Sequence, residues 1–181
     1  FARERGRPGR VKLLMGGGEG ISPGPRAELE RFWSAPLCMT YASTEAATIL
    51  GFECHERGGY HVNEFDFYVE IARPDADGYG EIVLTTVNRT VMPLIRYRTG
   101  DVARWLPGSC PCRLPFRRLS ALRGRVDEQV ACAWGNVHPE FFEPLLRDVR
   151  GLGPDWQVGV HERDLRQVFQ FRLEIEDEAD A

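Results

Sequence analysis

Lysine is nearly missing from these 181 residues: Lys12 is the only one, and arginine carries the rest of the basic charge. The glycine-rich stretch Gly16, Gly17, Gly18, Glu19, Gly20 therefore lacks the lysine of a phosphate loop, and it also lacks the spacing of a dinucleotide fingerprint. No apolar run approaches the roughly 20 residues needed to span a bilayer, and arginine-rich residues 1–10 have no apolar segment behind them, which reads as a cytoplasmic chain with no membrane partner. The net charge of −4 leaves no uniformly basic surface, which disfavours nucleic acid. Internal repeats and low-complexity tracts are absent. What is present suffices for one compact domain or two small ones, since 43% of residues are hydrophobic. Five cysteines make an odd count, and Cys110 and Cys112 lie too close together for an ordinary secreted disulfide ladder, so metal is the first question they raise.

Two kinds of segment alternate along the chain. Residues 12–15 are a short apolar run feeding the glycines, as in a buried strand that ends where backbone must approach something closely. Ser22, Pro23 and Pro25 start a helix with the apolar stripe Ala27, Leu29, Phe32 and Trp33, and Pro36 stops it. Residues 37–40 read as a second strand and 44–50 as a second helix capped by Ser43 or Thr44, giving βαβα order over 1–50. From Gly51 the signals are strands at 61–62, 67–72, 81–87, 94–97 and 102–106, with turns at 75–80 and 99–101, a small antiparallel sheet or barrel over 51–126. The third piece, 127–181, offers a helix at 139–147, a strand at 156–160 and a last strand in which Phe169, Phe171, Leu173 and Ile175 alternate with polar residues, before an acidic end expected to fray. The fold class is mixed α/β and α+β.

Several segments are candidates for chemistry. The glycine loop alone reads equally as a tight turn. Tyr41, Ala42, Ser43, Thr44 and Glu45 follow a strand and open the expected helix, so hydroxyls and a positive helix end would face a phosphate and Glu45 could hold Mg²⁺; a capping box around Thr44 is the ligand-free alternative. Asp101, after Arg96, Tyr97, Arg98, Thr99 and Gly100, offers two acceptor oxygens of the kind that take both hydroxyls of a ribose, or is an ordinary turn aspartate. Arg123 to Glu128 falls where composition changes, as a hinge would.

In this order the segments resemble the adenylate-forming ligases, and within them the phenylacetate-CoA ligase branch. Gly17, Gly18 and Glu19 match its Gly-Gly-Glu loop, and Tyr41 to Glu45 match Tyr-Gly-x-Thr-Glu. Arg96 to Asp101 match Arg-Tyr-Arg-Thr-Gly-Asp, Gly124 to Glu128 match Gly-Arg-x-Asp-Asp, and Asn136 to Pro139 match Asn-Val-Phe-Pro. The likeness covers about residues 12–146. It implies that a small carboxylic acid, with aromatic acids favoured, attacks ATP to give an acyl adenylate, and that coenzyme A or a carrier-protein thiol then displaces AMP. It further implies that Gly17, Gly18 and Glu19 border adenine, that Tyr41 packs on its face, that Ser43 and Thr44 meet phosphate, and that Glu45 holds Mg²⁺. Asp101 would bind the ribose hydroxyls, Arg125 would reach the nucleotide, and Asp127 would be the pivot of a mobile C-terminal domain. Residues 1–50 would be the remnant of a large N-terminal domain. A homodimer is left open, as is the identity of the acid.

Departures from the family pattern shape the expectation. Ala42 replaces a glycine, Glu128 replaces the second hinge aspartate, and Ala133, Trp134 and Gly135 stand where Arg-Gly-Val is common. The superfamily's late lysine and its early pyrophosphate loop have no counterpart here, and the chain opens on Phe1, which together read as a C-terminal fragment of a longer ligase. Two other readings stand beside the ligase: a nucleotide-binding module without catalysis, and a zinc-stapled interaction domain. Spacing alone leaves Cys54, His61, Cys110 and Cys112 as reduced thiols beside a histidine, with His55 an alternative nitrogen. The resemblance implies a structural Zn²⁺ on Cys54, His61, Cys110 and Cys112, because some relatives carry a ligand set at these places. Cys38 and Cys132 are expected to be core thiols, and His138 and His161 have no convergent partner.

Overall fold

The structure, a computed structural model, describes residues 11–18, 20–21, 23–128, 130–132, 135–137, 141–147, 149–163 and 166–175. It divides into two compact units that separate between Leu122 and Arg123. The first unit begins as a strand, a crossover helix and a parallel strand. β1 (Leu14–Gly16) lies beside β2 (Leu37–Ser43), with α1 (Pro23–Trp33) between them in sequence. Pro23 and Pro25 fall in the first turn of α1, where no intrahelical N–H is missed, and Ser34 ends the helix in left-handed conformation at φ 52°. Arg26 fastens the helix to the sheet: it donates to the Leu37 carbonyl at 2.6 Å and forks onto Glu53, which also accepts the Met39 N–H at 2.9 Å.

The helix expected at 44–50 is not there. β2 continues through Ser43, a tight turn covers 44–47, and β3 (Thr48–Glu53) returns antiparallel, so the order is βαββ. Two local bonds explain the turn. The Thr44 carbonyl accepts the Ala47 N–H at 3.0 Å, the Ser43 hydroxyl accepts the Ala46 N–H at 3.2 Å, and Ala47 is left-handed. Ser and Thr offer the backbone these alternatives to a helix, and β-branched Thr48 and Ile49 then favour the extended strand.

The chain continues as β4 (Tyr60–Val62), β5 (Phe67–Ala72), β6 (Gly80–Thr86), β7 (Tyr97–Ala103), β8 (Trp105–Leu106) and β9 (Arg118–Leu119). Six of these strands form a mixed sheet in the order β1-β2-β3-β4-β9-β8, which crosses the division expected at residue 50, and β5-β6-β7 form a separate antiparallel meander. Sequence placed a strand at 94–97 and a turn at 99–101; instead, Leu94 closes a wide loop on Thr86, and β7 starts at Tyr97 and runs through Asp101. The expected strand at 102–106 is broken at Arg104 into the ends of two strands from different sheets.

One apolar cluster takes side chains from both sheets: Leu37, Met39, Tyr41, Leu50 and Val62 from one, Phe67, Val69, Ile82 and Leu84 from the other. Alternate residues of β2 are buried, the period of a half-buried strand, whereas β6 is buried almost throughout. Each fully buried Leu, Ile or Phe of this cluster contributes about 1.5–3 kcal/mol.

The second unit carries a hairpin of β10 (Val130–Cys132) and β11 (Gly135–Val137), the short helix α2 (Glu143–Arg147), and a long antiparallel pair, β12 (Leu152–Arg163) and β13 (Arg166–Ile175). Phe142 is its packing centre, with the rings of Trp156, Phe169 and Phe171 at 6.5, 5.5 and 5.6 Å. The two strands expected near the end are therefore present and longer than expected. The start of the helix expected at 139 falls on residues outside those described. Among the described residues no helix is long and apolar enough to cross a membrane.

Candidate functional site

The parallel register of β1 and β2 sets Gly16 opposite Met39, so the glycine loop leaves the sheet alongside the residues that lead to Tyr41. A Cβ on Gly17 would lie 2.5 Å from the Thr40 hydroxyl, and that hydroxyl donates to the Gly16 carbonyl at 3.0 Å. A side chain at Gly17 would displace the Thr40 hydroxyl from that bond, and Gly18 adds a left-handed φ of 99°. Glu19 lies outside the described residues. A cleft of about 470 Å³ borders this loop, lined by Gly16, Gly17, Gly18, Ile21, Trp33 and Met39 among others.

Tyr41 ends its run on Asp101. Its hydroxyl donates to Asp101 Oδ2 at 2.6 Å across 60 residues of sequence, joining the six-stranded sheet to the meander. The Tyr41 ring is buried, 6% exposed, and inclined to the Tyr60 ring at 6.2 Å. Beyond it, the Ser43 hydroxyl donates to Glu45 Oε2 at 2.8 Å, and Thr44 and Glu45 occupy the hairpin turn. The positive helix end expected at Thr44 is replaced by turn backbone, which leaves hydroxyls and turn N–H groups as the polar groups offered here. In the second unit Arg125 pairs with Asp127 at 3.1 Å, both exposed, as a 3₁₀ turn begins at Val126.

Four residues of the first unit converge elsewhere. The ligand atoms of Cys54, His61, Cys110 and Cys112 all lie within 4.8 Å of one another. Cys54 Sγ and Cys110 Sγ are 3.7 Å apart, far longer than the ~2.05 Å of a disulfide and close to the about 3.75 Å edge of a tetrahedron with 2.3 Å metal–sulfur bonds. Cys112 Sγ is 3.3 Å from His61 Nε2. His61 is fully buried, and its Nδ1 lies 3.2 Å from the Phe116 carbonyl. A carbonyl only accepts, so Nδ1 carries the proton and the Nε2 lone pair faces the sulfurs.

Two matching turns aim the thiols. The Cys54 carbonyl accepts the Arg57 N–H at 2.9 Å and the Cys110 carbonyl accepts the Arg113 N–H at 3.0 Å, and both arginines are left-handed, at φ 52° and 65°. A hydrogen bond from the Cys112 N–H draws the Cys110 thiol below its ordinary value, whereas burial and then the neighbouring sulfurs push Cys112 up to about 11, against the pull of the Leu114 N–H. His55 is turned out to solvent beside Glu56 and takes no part. Cys38 is half-buried, with burial raising its thiol, and its Sγ points to the Cys54 carbonyl at 3.8 Å. The Cys132 side chain and His138 lie outside what is described.

Sequence reasoning missed Glu81, a carboxylate 7% exposed whose Oε1 accepts the Gly100 N–H at 3.2 Å. Its only signal was a charge heading the apolar run Ile82, Val83, Leu84.

No family model matches the chain. Solved structures define the fold. The chain superposes on 2-hydroxyisobutyryl-CoA ligase in its postadenylation state with a TM-score of 0.77 at 21% identity, covering 93% of this chain and 38% of that one. On o-succinylbenzoate coenzyme A synthetase from Bacillus subtilis in complex with ATP and magnesium ion the TM-score is 0.65 at 18% identity, over 93% of this chain and 38% of that one. The fold is that of part of an adenylate-forming CoA ligase. Sequence is more particular, for the chain resembles the phenylacetate-coenzyme A ligases over nearly its whole length. It is 30% identical to the enzyme of Escherichia coli K12 over 175 residues, which are 92% of this chain and 39% of that enzyme. It is 34% identical to that of Aromatoleum evansii over 134 residues, 70% of this chain and 30% of the enzyme. The chain thus spans well under half of the curated relatives it matches.

Proposed function

We propose that the protein carrying this chain activates a carboxylic acid with ATP and passes the acyl group to the thiol of coenzyme A, a carrier-protein thiol being the alternative acceptor. The observation that carries the reading is the Tyr41–Asp101 bond: two motifs 60 residues apart meet at 2.6 Å, where a nucleotide would have to touch both. A free carboxylate is a poor acyl electrophile. Attack of its oxygen on the α-phosphate of ATP expels pyrophosphate and gives a mixed anhydride, from which a thiol sulfur can displace AMP.

This chain's residues would serve positioning and charge neutralisation, which dominate phosphate-centred chemistry. Asp101 accepts the ribose hydroxyls, and the side-chain-free backbone at Gly17 and Gly18 lets adenine lie close. Thr44 would donate to phosphate oxygens, as would Ser43 once its hydroxyl turns from Glu45, and Glu45 suits a Mg²⁺ ligand, a hard carboxylate beside phosphate. Arg125 would reach the nucleotide, and Asp127 would be the pivot of the C-terminal domain. Aromatic acids head the substrate list because the relatives named above are phenylacetate-coenzyme A ligases. Carboxylate-dependent exchange of pyrophosphate into ATP by the intact protein tests the reading. Exchange with phenylacetate or benzoate supports it, and no exchange with any acid, despite bound nucleotide, would leave a nucleotide-binding module.

Cys54, His61, Cys110 and Cys112 are proposed to hold one structural Zn²⁺. Three sulfurs and one nitrogen fill a tetrahedron and leave no open position for substrate. The 3.7 Å sulfur spacing and the fixed His61 tautomer support this reading. The ion would tie the loop after β3 to the loop after β8.

A further inference from the structure

Asp101 stands in a stretch of strand where the ladder fails. Between the pairs Val83↔Arg98 and Glu81↔Val102, β6 spends one residue and β7 spends three: Thr99, Gly100 and Asp101. Such a bulge leaves backbone groups without ladder partners and would let the strand wander unless side chains replace the missing bonds. Here they do. The Thr99 hydroxyl accepts the Asp101 N–H at 3.1 Å while donating to the Ile82 carbonyl at 3.0 Å. Glu81 Oε1 accepts the Gly100 N–H at 3.2 Å, and its Oε2 takes Arg98 Nε at 2.7 Å together with the Nη2 of the same guanidinium. Gly100 is left-handed at φ 81°, the conformation that turns the next side chain out of strand alternation.

Packing alone does not explain Glu81. It is 7% exposed between Gly80 and the apolar Ile82, Val83 and Leu84, where a hydrophobic residue would cost no desolvation. Besides its ion pair with Arg98, the buried carboxylate takes the Gly100 N–H and so fixes the Thr99–Gly100 peptide, one link before Asp101. On the other side, Tyr41 reaches across from β2 and fixes the carboxylate itself. We propose that Glu81 and Tyr41 are positioning residues that pre-aim Asp101 at the ribose, Glu81 through the backbone at Gly100 and Tyr41 through Oδ2. This rests on the reading of Asp101 as the ribose-binding residue. A carboxylate offers about four acceptor positions, and the tyrosine takes one of them. Holding an acceptor in its bound geometry removes the ordering cost from binding, and the gain appears only with ligands that own the hydroxyls.

The test is nucleotide discrimination by the intact protein, read by calorimetry with Mg·ATP and Mg·2′,3′-dideoxy-ATP. Loss of hydrogen bonds to a charged group corresponds to about ten- to hundredfold in affinity, so Asp101→Ala should bring the two nucleotides to within a few-fold of each other. Tyr41→Phe and Glu81→Gln should each lower the ATP preference at least several-fold, chiefly by weakening ATP and not the dideoxy nucleotide. A structural role alone would weaken both nucleotides by one common factor and leave their ratio intact. If Asp101→Ala collapses the ratio while Tyr41→Phe and Glu81→Gln preserve it, the positioning role is refuted and the ribose reading stands. If Asp101→Ala preserves the ratio, the ribose reading itself fails. Tyr41→Phe removes a single oxygen from a packed ring, so it decides the matter even where Glu81→Gln does not fold.

Discussion

Removing one sulfur from the four-residue cluster should change zinc affinity, its pH dependence and the melting temperature in ways the geometry sets. Three thiols must lose protons to bind the ion, and below the ordinary thiol pKa of ~8.5 each adds up to tenfold in affinity per pH unit. Wild-type log K should therefore climb by up to about 3 per pH unit between pH 6 and 7, with Cys110, drawn down by the Cys112 N–H, the least costly of the three to ionise. Cys112→Ser should remove about one unit of that slope, because the thiol held up near 11 is the costliest to ionise. An ion held by the folded site and not by the unfolded chain stabilises more as free metal rises, by about 2.7 kcal/mol at a hundredfold excess over Kd, so chelation should lower the wild-type melting temperature by roughly 8–15 °C and that of Cys112→Ser by less. Competition against a chromophoric chelator across pH, elemental analysis of protein purified without added metal, and melts with and without chelator measure all three. Zinc well below one equivalent, or a Cys112→Ser variant with full zinc and an unchanged slope, would refute the reasoning.

Gly59→Ala should destabilise the first unit by about 1–3 kcal/mol, because Gly59 is left-handed at φ 97° and a Cβ would lie 2.3 Å from the Leu119 carbonyl; a denaturant midpoint equal to wild type would contradict it. Glu30 accepts the Leu37 N–H and then pairs with Arg57, which together hold its carboxyl below the ordinary range. Its contribution is present above the unfolded value of ~4.3 and is lost as pH falls through the folded value, so Glu30→Gln should flatten stability against pH in acid and leave the neutral slope unchanged, as urea titrations from pH 3 to 7 would show. The 181-residue chain by itself should not form acyl adenylate, since Lys12 is its only lysine and arginine does not substitute at a point-charge phosphate contact. Acid-dependent pyrophosphate exchange by that chain would overturn this expectation.

Elements whose signal is local were legible in the sequence. Pro23, Pro25 and Pro36 bracket α1, β5 was expected at 67–72 and is found as Phe67–Ala72, and the alternation of Phe169, Phe171 and Leu173 is the register of β13. The failures share a cause. Residues 44–50 look helical by composition, but hydroxyls at Ser43 and Thr44 serve a turn as readily as a cap, and only pairing with β2 decides between them. The turn signal of Gly100 next to Asp101 is real, yet inside a strand it makes a bulge, because Glu81, 19 residues earlier, supplies the missing acceptor. In the cluster the ligand types and His61 were visible, whereas the Phe116 carbonyl that sets the tautomer carries no side-chain signal.

The meander β5-β6-β7 lies in sequence between β4 and β9, neighbours in the six-stranded sheet, and this imposes an order of events on the nascent chain. His61 and Phe116 are 55 residues apart, an interval that takes roughly 3–11 s to synthesise at ~5–20 residues per second. During that interval the free edge of β4 and the Cys54 thiol have no partner from β9 or the Cys110 loop, while the meander can close locally on a far shorter timescale. The meander then delivers Arg118 and Leu119 to the waiting edge, and the last two thiols arrive with them. Capture of the proposed metal by all four residues would consequently be a late step, and in a cell short of that metal the β4 edge would be where misassembly begins.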